Sequence, residues 1–135
     1  MRVICDYCGM PAHFIDSSLI YGRSYGMVYY CPDCRAWVGV HKGTDIPLGR
    51  LADEELRKYK KLAHAAFDPI WRRGLSTRRK AYSWLSEQMG IPEENTHIGM
   101  FDVEQCKQAI ALCKKRTEDL YHALAQPFPG LLQQP

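Results

Sequence analysis

The chain has 135 residues, 46% of them hydrophobic and 24% charged, with a formal net charge of +3. Such a composition fits one compact domain or two very small ones and excludes a disordered chain. No apolar run approaches the roughly 20 residues that cross a bilayer, and the opening "MRVICDYCG" lacks the apolar stretch of a signal peptide, so a cytoplasmic protein is expected.

The first region, residues 1–49, is rich in Gly, Tyr, Val and Cys. The runs "HFIDSSLIYG", "GMVYYC" and "AWVGVH" read as short strands broken by turn residues. So few short strands bury little apolar area alone, and something else must staple them. The second region, residues 50–126, reads as three helices. "LADEELRKYKKLAHAAFDPIW" places Leu56, Tyr59, Ala63, Phe67 and Ile70 at helical spacing, with Asp53, Glu54 and Glu55 at the end where the dipole favours acids. Pro69 is expected to kink or end that helix. "STRRKAYSWLSEQMG" is a second helix, with Ser76 or Thr77 as its cap and Gly90 as its stop. "FDVEQCKQAIALCKKR" is a third, where Asp102 and Gln105 have the spacing of a capping box. Its apolar face continues through Leu120, Tyr121 and Leu124. Residues 127–135, "PFPGLLQQP", read as a loose Pro-rich tail.

The most specific signal is a pair of Cys-x-x-Cys motifs, Cys5 with Cys8 and Cys31 with Cys34, separated by 22 residues. A reducing compartment disfavours structural disulfides, and two such motifs without a βαβ unit do not fit a thioredoxin-like redox pair. Two Cys-x-x-Cys turns complete a tetrahedron around one zinc ion. Four cysteines fill its coordination sphere, whereas a catalytic zinc keeps a position open, so this zinc is structural. Four thiolates outweigh the ion's two charges, which brings the holo-chain to about +1, too little for a strong global pull on nucleic acid. The expected fold is therefore α+β: a zinc ribbon of short antiparallel hairpins, followed by a three-helix region packed with it as one unit. Cys106 and Cys113, two helical turns apart, read as small buried hydrophobes.

Together, "CDYCGMPA", "IYGRSYGMVYYCPDCRAWVGVHKGTDIPLGRLAD", "HAAFDPIW", "AYSWLSEQMGI" and "HIGMFDVEQC" resemble the zinc-finger-containing domain family of unknown function (DUF3268). The resemblance runs from about Cys5 to Cys113. It implies a small bacterial or phage protein, often in a mobile-element setting, and it implies no particular activity.

Three functions compete. The local charge favours DNA or RNA: Arg72, Arg73, Arg78, Arg79 and Lys80 fall within nine positions, with no acid between Asp68 and Glu87. Arginine suits phosphate contact, and Trp71, Tyr82 and Trp84 flank the run as candidate stacking partners. The alternative is a protein partner, an adaptor or inhibitor of a host enzyme or defence system, that docks on the Tyr-rich hairpin through Tyr21, Tyr25 and Tyr29. The remotest is a metal-dependent hydrolase built from His64, Asp68, His97 and Asp102. No nucleophile–base pair or phosphate loop accompanies that group, so a non-enzymatic zinc-ribbon protein that binds nucleic acid is the leading expectation.

Overall fold

The computed structural model describes residues 2–73 and 76–125. The expected tail at 127–135 lies outside them. Strands β1 (His13–Asp16), β2 (Met27–Cys31) and β3 (Ala36–Gly39) form an antiparallel sheet in that order. The register sets Phe14 opposite Tyr29, and Tyr30 opposite Trp37. Successive strand side chains alternate between faces. Tyr29 and Cys31 therefore turn inward with Ala36 and Val38, and Cys5 and Leu51 complete a small core.

The run "HFIDSSLIYG" is only partly a strand. After Asp16 the chain turns into a four-residue helix, α1 (Ser18–Tyr21). The local cause is the Asp16 carboxylate, which accepts a hydrogen bond from the Ser18 N–H at 2.8 Å, an Asx turn that diverts the backbone from the sheet. Gly22, at φ 74°, then ends the helix.

Three longer helices follow: α2 (Glu54–Arg72), α3 (Arg78–Met89) and α4 (Val103–Ala125), with 3-10 turns at Glu93–Asn95 and Ile98–Met100. Asp53 caps α2 by accepting from the Leu56 N–H at 2.9 Å. Thr77, rather than Ser76, caps α3. Asp102 and Gln105 cap α4 reciprocally at 2.8 and 3.1 Å. Pro69 does not stop α2, which continues to Arg72. Proline removes one donor and crowds the carbonyl four residues back, but the buried Ile70 holds the last turn in the core. The three helices bury Leu56, Ala63, Phe67, Leu85, Cys106, Ala109 and Cys113, together with Ile98 and Phe101 from the connecting segment. Burial pushes the Cys106 thiol up to about 11 and the Cys113 thiol to about 12, as expected of cysteines acting as small hydrophobes. α4 is long, as the continuing apolar pattern implies, and reaches Ala125, with Leu120, Tyr121 and Leu124 exposed at its far end.

The chain passes from the ribbon core to the helical core between Leu51 and Ala52. Backbone groups weld the joint. Gly99 O accepts from the Arg50 N–H at 3.2 Å and from Lys60 Nζ at 2.7 Å. Ala52 pairs with Trp37 on the free edge of β3. Gly49 meets Gly99 so closely that a β-carbon at Gly49 would sit 2.3 Å from Gly99 O. Backbone cannot yield as a side chain can. Gly49→Ala should cost about 1–3 kcal/mol by overpacking. Gly39→Ala, whose new methyl would meet only the Leu48 side chain at 3.4 Å, serves as the near-neutral control in a urea titration.

Candidate metal centre and its surrounding surfaces

The four cysteines stand at the tips of two hairpins. Residues 3–12 form the first, closed by the Ile4–Pro11 bridge and by the Cys5 N–H donating to Met10 O at 2.8 Å. The β2–β3 hairpin is the second, with Cys31 opposite Ala36. All four Sγ atoms lie within 4.8 Å of one another. Cys8 Sγ and Cys31 Sγ are 3.7 Å apart, far beyond a disulfide bond. A tetrahedron with metal–sulfur bonds of about 2.3 Å has edges of about 3.8 Å, so this spacing fits a zinc ion. Electrostatics give the same answer. Burial, followed by the neighbouring sulfurs of Cys8, Cys5 and Cys31, pushes the Cys34 thiol up to about 12. Four thiolates this close need a cation among them. The donor set thus fits one structural zinc.

The residues inside the first knuckle have a second task. Asp6 Oδ2 accepts from the Leu51 N–H at 2.9 Å, and Tyr7 Oη accepts from the Asp53 N–H at 3.1 Å. The knuckle therefore orients the entry to α2. Sequence reasoning attached no role to either residue, because their partners lie 45 and 46 positions away.

The knuckles also share a backbone feature. The residue after each second cysteine is left-handed: Gly9 at φ 76° and Arg35 at φ 50°. Glycine meets that demand freely, whereas a side chain costs about 1–2 kcal/mol.

The five basic residues are all exposed, Arg72 and Arg73 at the end of α2 and Arg78, Arg79 and Lys80 in the first turn of α3. Their expected stacking partners are not free. Tyr82 is buried against Phe67, with ring centroids 4.3 Å apart. Trp71 and Trp84 are partly buried against the helical core, and the Arg116 guanidinium lies 4.5 Å from the Trp84 ring. The helical period turns these rings inward, and two of the cations lean back on them: Arg72 lies 5.2 Å from the Trp71 ring centroid and Arg78 5.5 Å from that of Tyr82.

In the Tyr-rich hairpin, Tyr21 and Tyr25 are exposed, but Tyr29 is 3% exposed and donates its hydroxyl hydrogen to Asp45 O at 2.6 Å. Strand alternation puts it in the ribbon core, so it drops out of the expected interface. The His/Asp group does not assemble. His64 and Asp68 pair along α2 at 3.6 Å, His97 packs on Tyr82 at 5.1 Å, and Asp102 is spent on capping α4. Among the described residues, only the four cysteines bring three or more potential ligands together.

The model of the zinc-finger-containing domain family, DUF3268, matches residues 1–116. No curated protein and no solved structure matches the chain. No helix among the described residues is long and apolar enough to cross a membrane.

Two outcomes are expected. Elemental analysis should find about one zinc per chain, and Cys31→Ser should release it and unfold the ribbon while α-helical circular dichroism persists. A metal-free chain that stays fully folded would rule out the staple. At the turns, Gly9→Ala should destabilise by about 1 kcal/mol, whereas Arg35→Gly should be neutral or stabilising by up to about 1 kcal/mol, read from thermal melts of the zinc-loaded protein.

Proposed function

We propose that this chain, which belongs to the zinc-finger-containing domain family whose model spans residues 1–116, is a non-enzymatic, zinc-stapled module that binds nucleic acid through the corner where α2 meets α3. One observation carries the reading: the placement of Arg78, Arg79 and Lys80 in the first turn of α3, which holds no acid. A helix N-terminus bears partial positive charge, and each exposed cation there is unfavourable by about 0.3–1 kcal/mol. Arg78 recovers part of that cost over the Tyr82 ring, 5.5 Å from its centroid, but among the described residues no ion pair or ring contact offsets Arg79 or Lys80. A phosphate backbone does gain from this arrangement, because cations and helix N–H groups point the same way.

Arg72 and Arg73 extend the patch from the end of α2, where the dipole welcomes cations. Arg72 lies 3.8 Å from Asp68 and is partly neutralised. The non-enzymatic part of the reading rests on donor chemistry. Four thiolates leave a zinc ion no position for substrate, and the His64–Asp68 pair gathers no third ligand among the described residues.

Binding to a mixed-sequence duplex and to a single strand, measured across a salt series, tests the proposal. Arg78→Ala with Arg79→Ala should weaken both and flatten the log–log salt slope by about 2. Arg72→Ala should do less, because Asp68 already offsets that charge. Absence of binding even at low salt would discard the reading in favour of a protein partner.

A further inference from the structure

A cleft of about 740 Å³ opens beside the sheet, with none of the four cysteines in its lining, which includes Phe14, Tyr21, Tyr25, Trp37, Lys42 and Arg57. Its aromatic residues are unusually open: Tyr25 is 71% exposed, Tyr21 50% and Phe14 44%. Exposed rings in a concave site usually serve a ligand.

These rings are also held in place. The Trp37 Nε1–H donates to Tyr21 Oη at 2.8 Å, and the two rings meet edge-on at 6.0 Å. Tyr25 stands perpendicular to Tyr21 at 5.6 Å, and its backbone N–H donates to the buried Ser17 Oγ at 2.7 Å. The Arg57 guanidinium lies 3.8 Å from the Trp37 ring centroid, while its Nη2 donates to Trp37 O. Tyr21 and Trp37 therefore have little rotamer freedom left to lose on binding.

The charge is one-sided. Arg57 and Lys42 line the cleft, Arg23 lies 5.8 Å from the Tyr25 ring, and Asp45 is the one acid among the lining residues. Aromatic faces beside cations suit an unstacked base with its phosphate. They suit a duplex poorly, since its bases are already stacked.

We propose that this cleft takes an unpaired nucleobase of single-stranded nucleic acid, stacked on the face of Tyr25 with its edge toward Tyr21, and with its phosphate toward Lys42 and Arg23. The assignment rests on the nucleic-acid reading above and adds strand type to it. It also moves the stacking role to α1 and the loop after it, because Trp71, Tyr82 and Trp84 are packed away.

The test uses the full-length, zinc-loaded chain, a labelled oligothymidylate of about 12 nucleotides and a blunt duplex of equal length. Tyr25→Ala should weaken oligothymidylate binding by about five- to a hundredfold and leave duplex binding unchanged. The salt slope should not move, because stacking releases no counterions. Tyr25→Phe should keep the affinity. Tyr25 is exposed, so loss of folding does not confuse the result, and zinc content confirms it. If the wild type binds both probes and neither Tyr25→Ala nor its combination with Phe14→Ala changes the single-strand affinity, the cleft assignment is wrong and the basic-corner reading stands. A wild type that binds the duplex alone has the same meaning. A cleft built for a peptide would produce the first of these results. A wild type that binds neither probe overturns both readings.

Discussion

Four sulfurs from two hairpin tips must share one cation, and the rest of the ribbon depends on that constraint. The core beneath them is six buried residues, two of which are the cysteines themselves. A unit this small buries too little apolar surface to offset the entropy of ordering its chain. Metal binding supplies the deficit as folding free energy. The same knuckle then positions the next element, since Asp6 and Tyr7 hold the backbone at Leu51 and Asp53. Zinc ligation thus reaches the start of α2 through two hydrogen bonds.

The joint between ribbon and helices is made largely of backbone. Gly49 and Gly99 approach until neither has room for a large side chain, and the Gly99 carbonyl collects donors from Arg50 and Lys60. Lys60 carries a cost in this role: burial lowers its ammonium to about 8, with a smaller contribution from Arg57 and Arg50. The phrase "HIGMFD", a candidate metal loop by its histidine, is a packing device. Ile98 and Phe101 enter the helical core, Gly99 meets Gly49, and His97 stays at the surface.

With the metal committed to structure, function falls to the surfaces, and these are organised by charge and exposure. One is the corner where α3 tolerates three cations against its own dipole. The other is the aromatic cleft, where Trp37 holds the Tyr21 hydroxyl, Arg57 covers the Trp37 ring and Ser17 anchors the backbone at Tyr25, while the rings stay open. On the proposed reading, both meet an anionic, aromatic-bearing partner and divide the work between phosphate and base. The two surfaces belong to different halves of the chain, so the joint at Gly49 and Gly99 also sets how they can act together.

The sequence by itself determined the features that depend on neighbours a few residues apart. The two Cys-x-x-Cys turns, the Asp53 cap, the capping box at Asp102 and Gln105, and the helical stripe through Leu56, Ala63, Phe67 and Ile70 all follow from local spacing and local hydrogen bonding. One boundary difference has a local cause as well, since Asp16 turned a strand into α1, whereas burial of Ile70 in the helical core carried α2 past Pro69. Strand alternation and helical period turn Tyr29 and Tyr82 inward, but only the tertiary structure decided that Tyr21 and Tyr25 stay open to water. It alone showed the close contact of Gly49 with Gly99, the second task of Asp6 and Tyr7, and the dispersal of His64, Asp68, His97 and Asp102. Such outcomes depend on groups far apart in the chain, 45 positions for the Asp6–Leu51 bond, and no local pattern encodes where a distant backbone will pass.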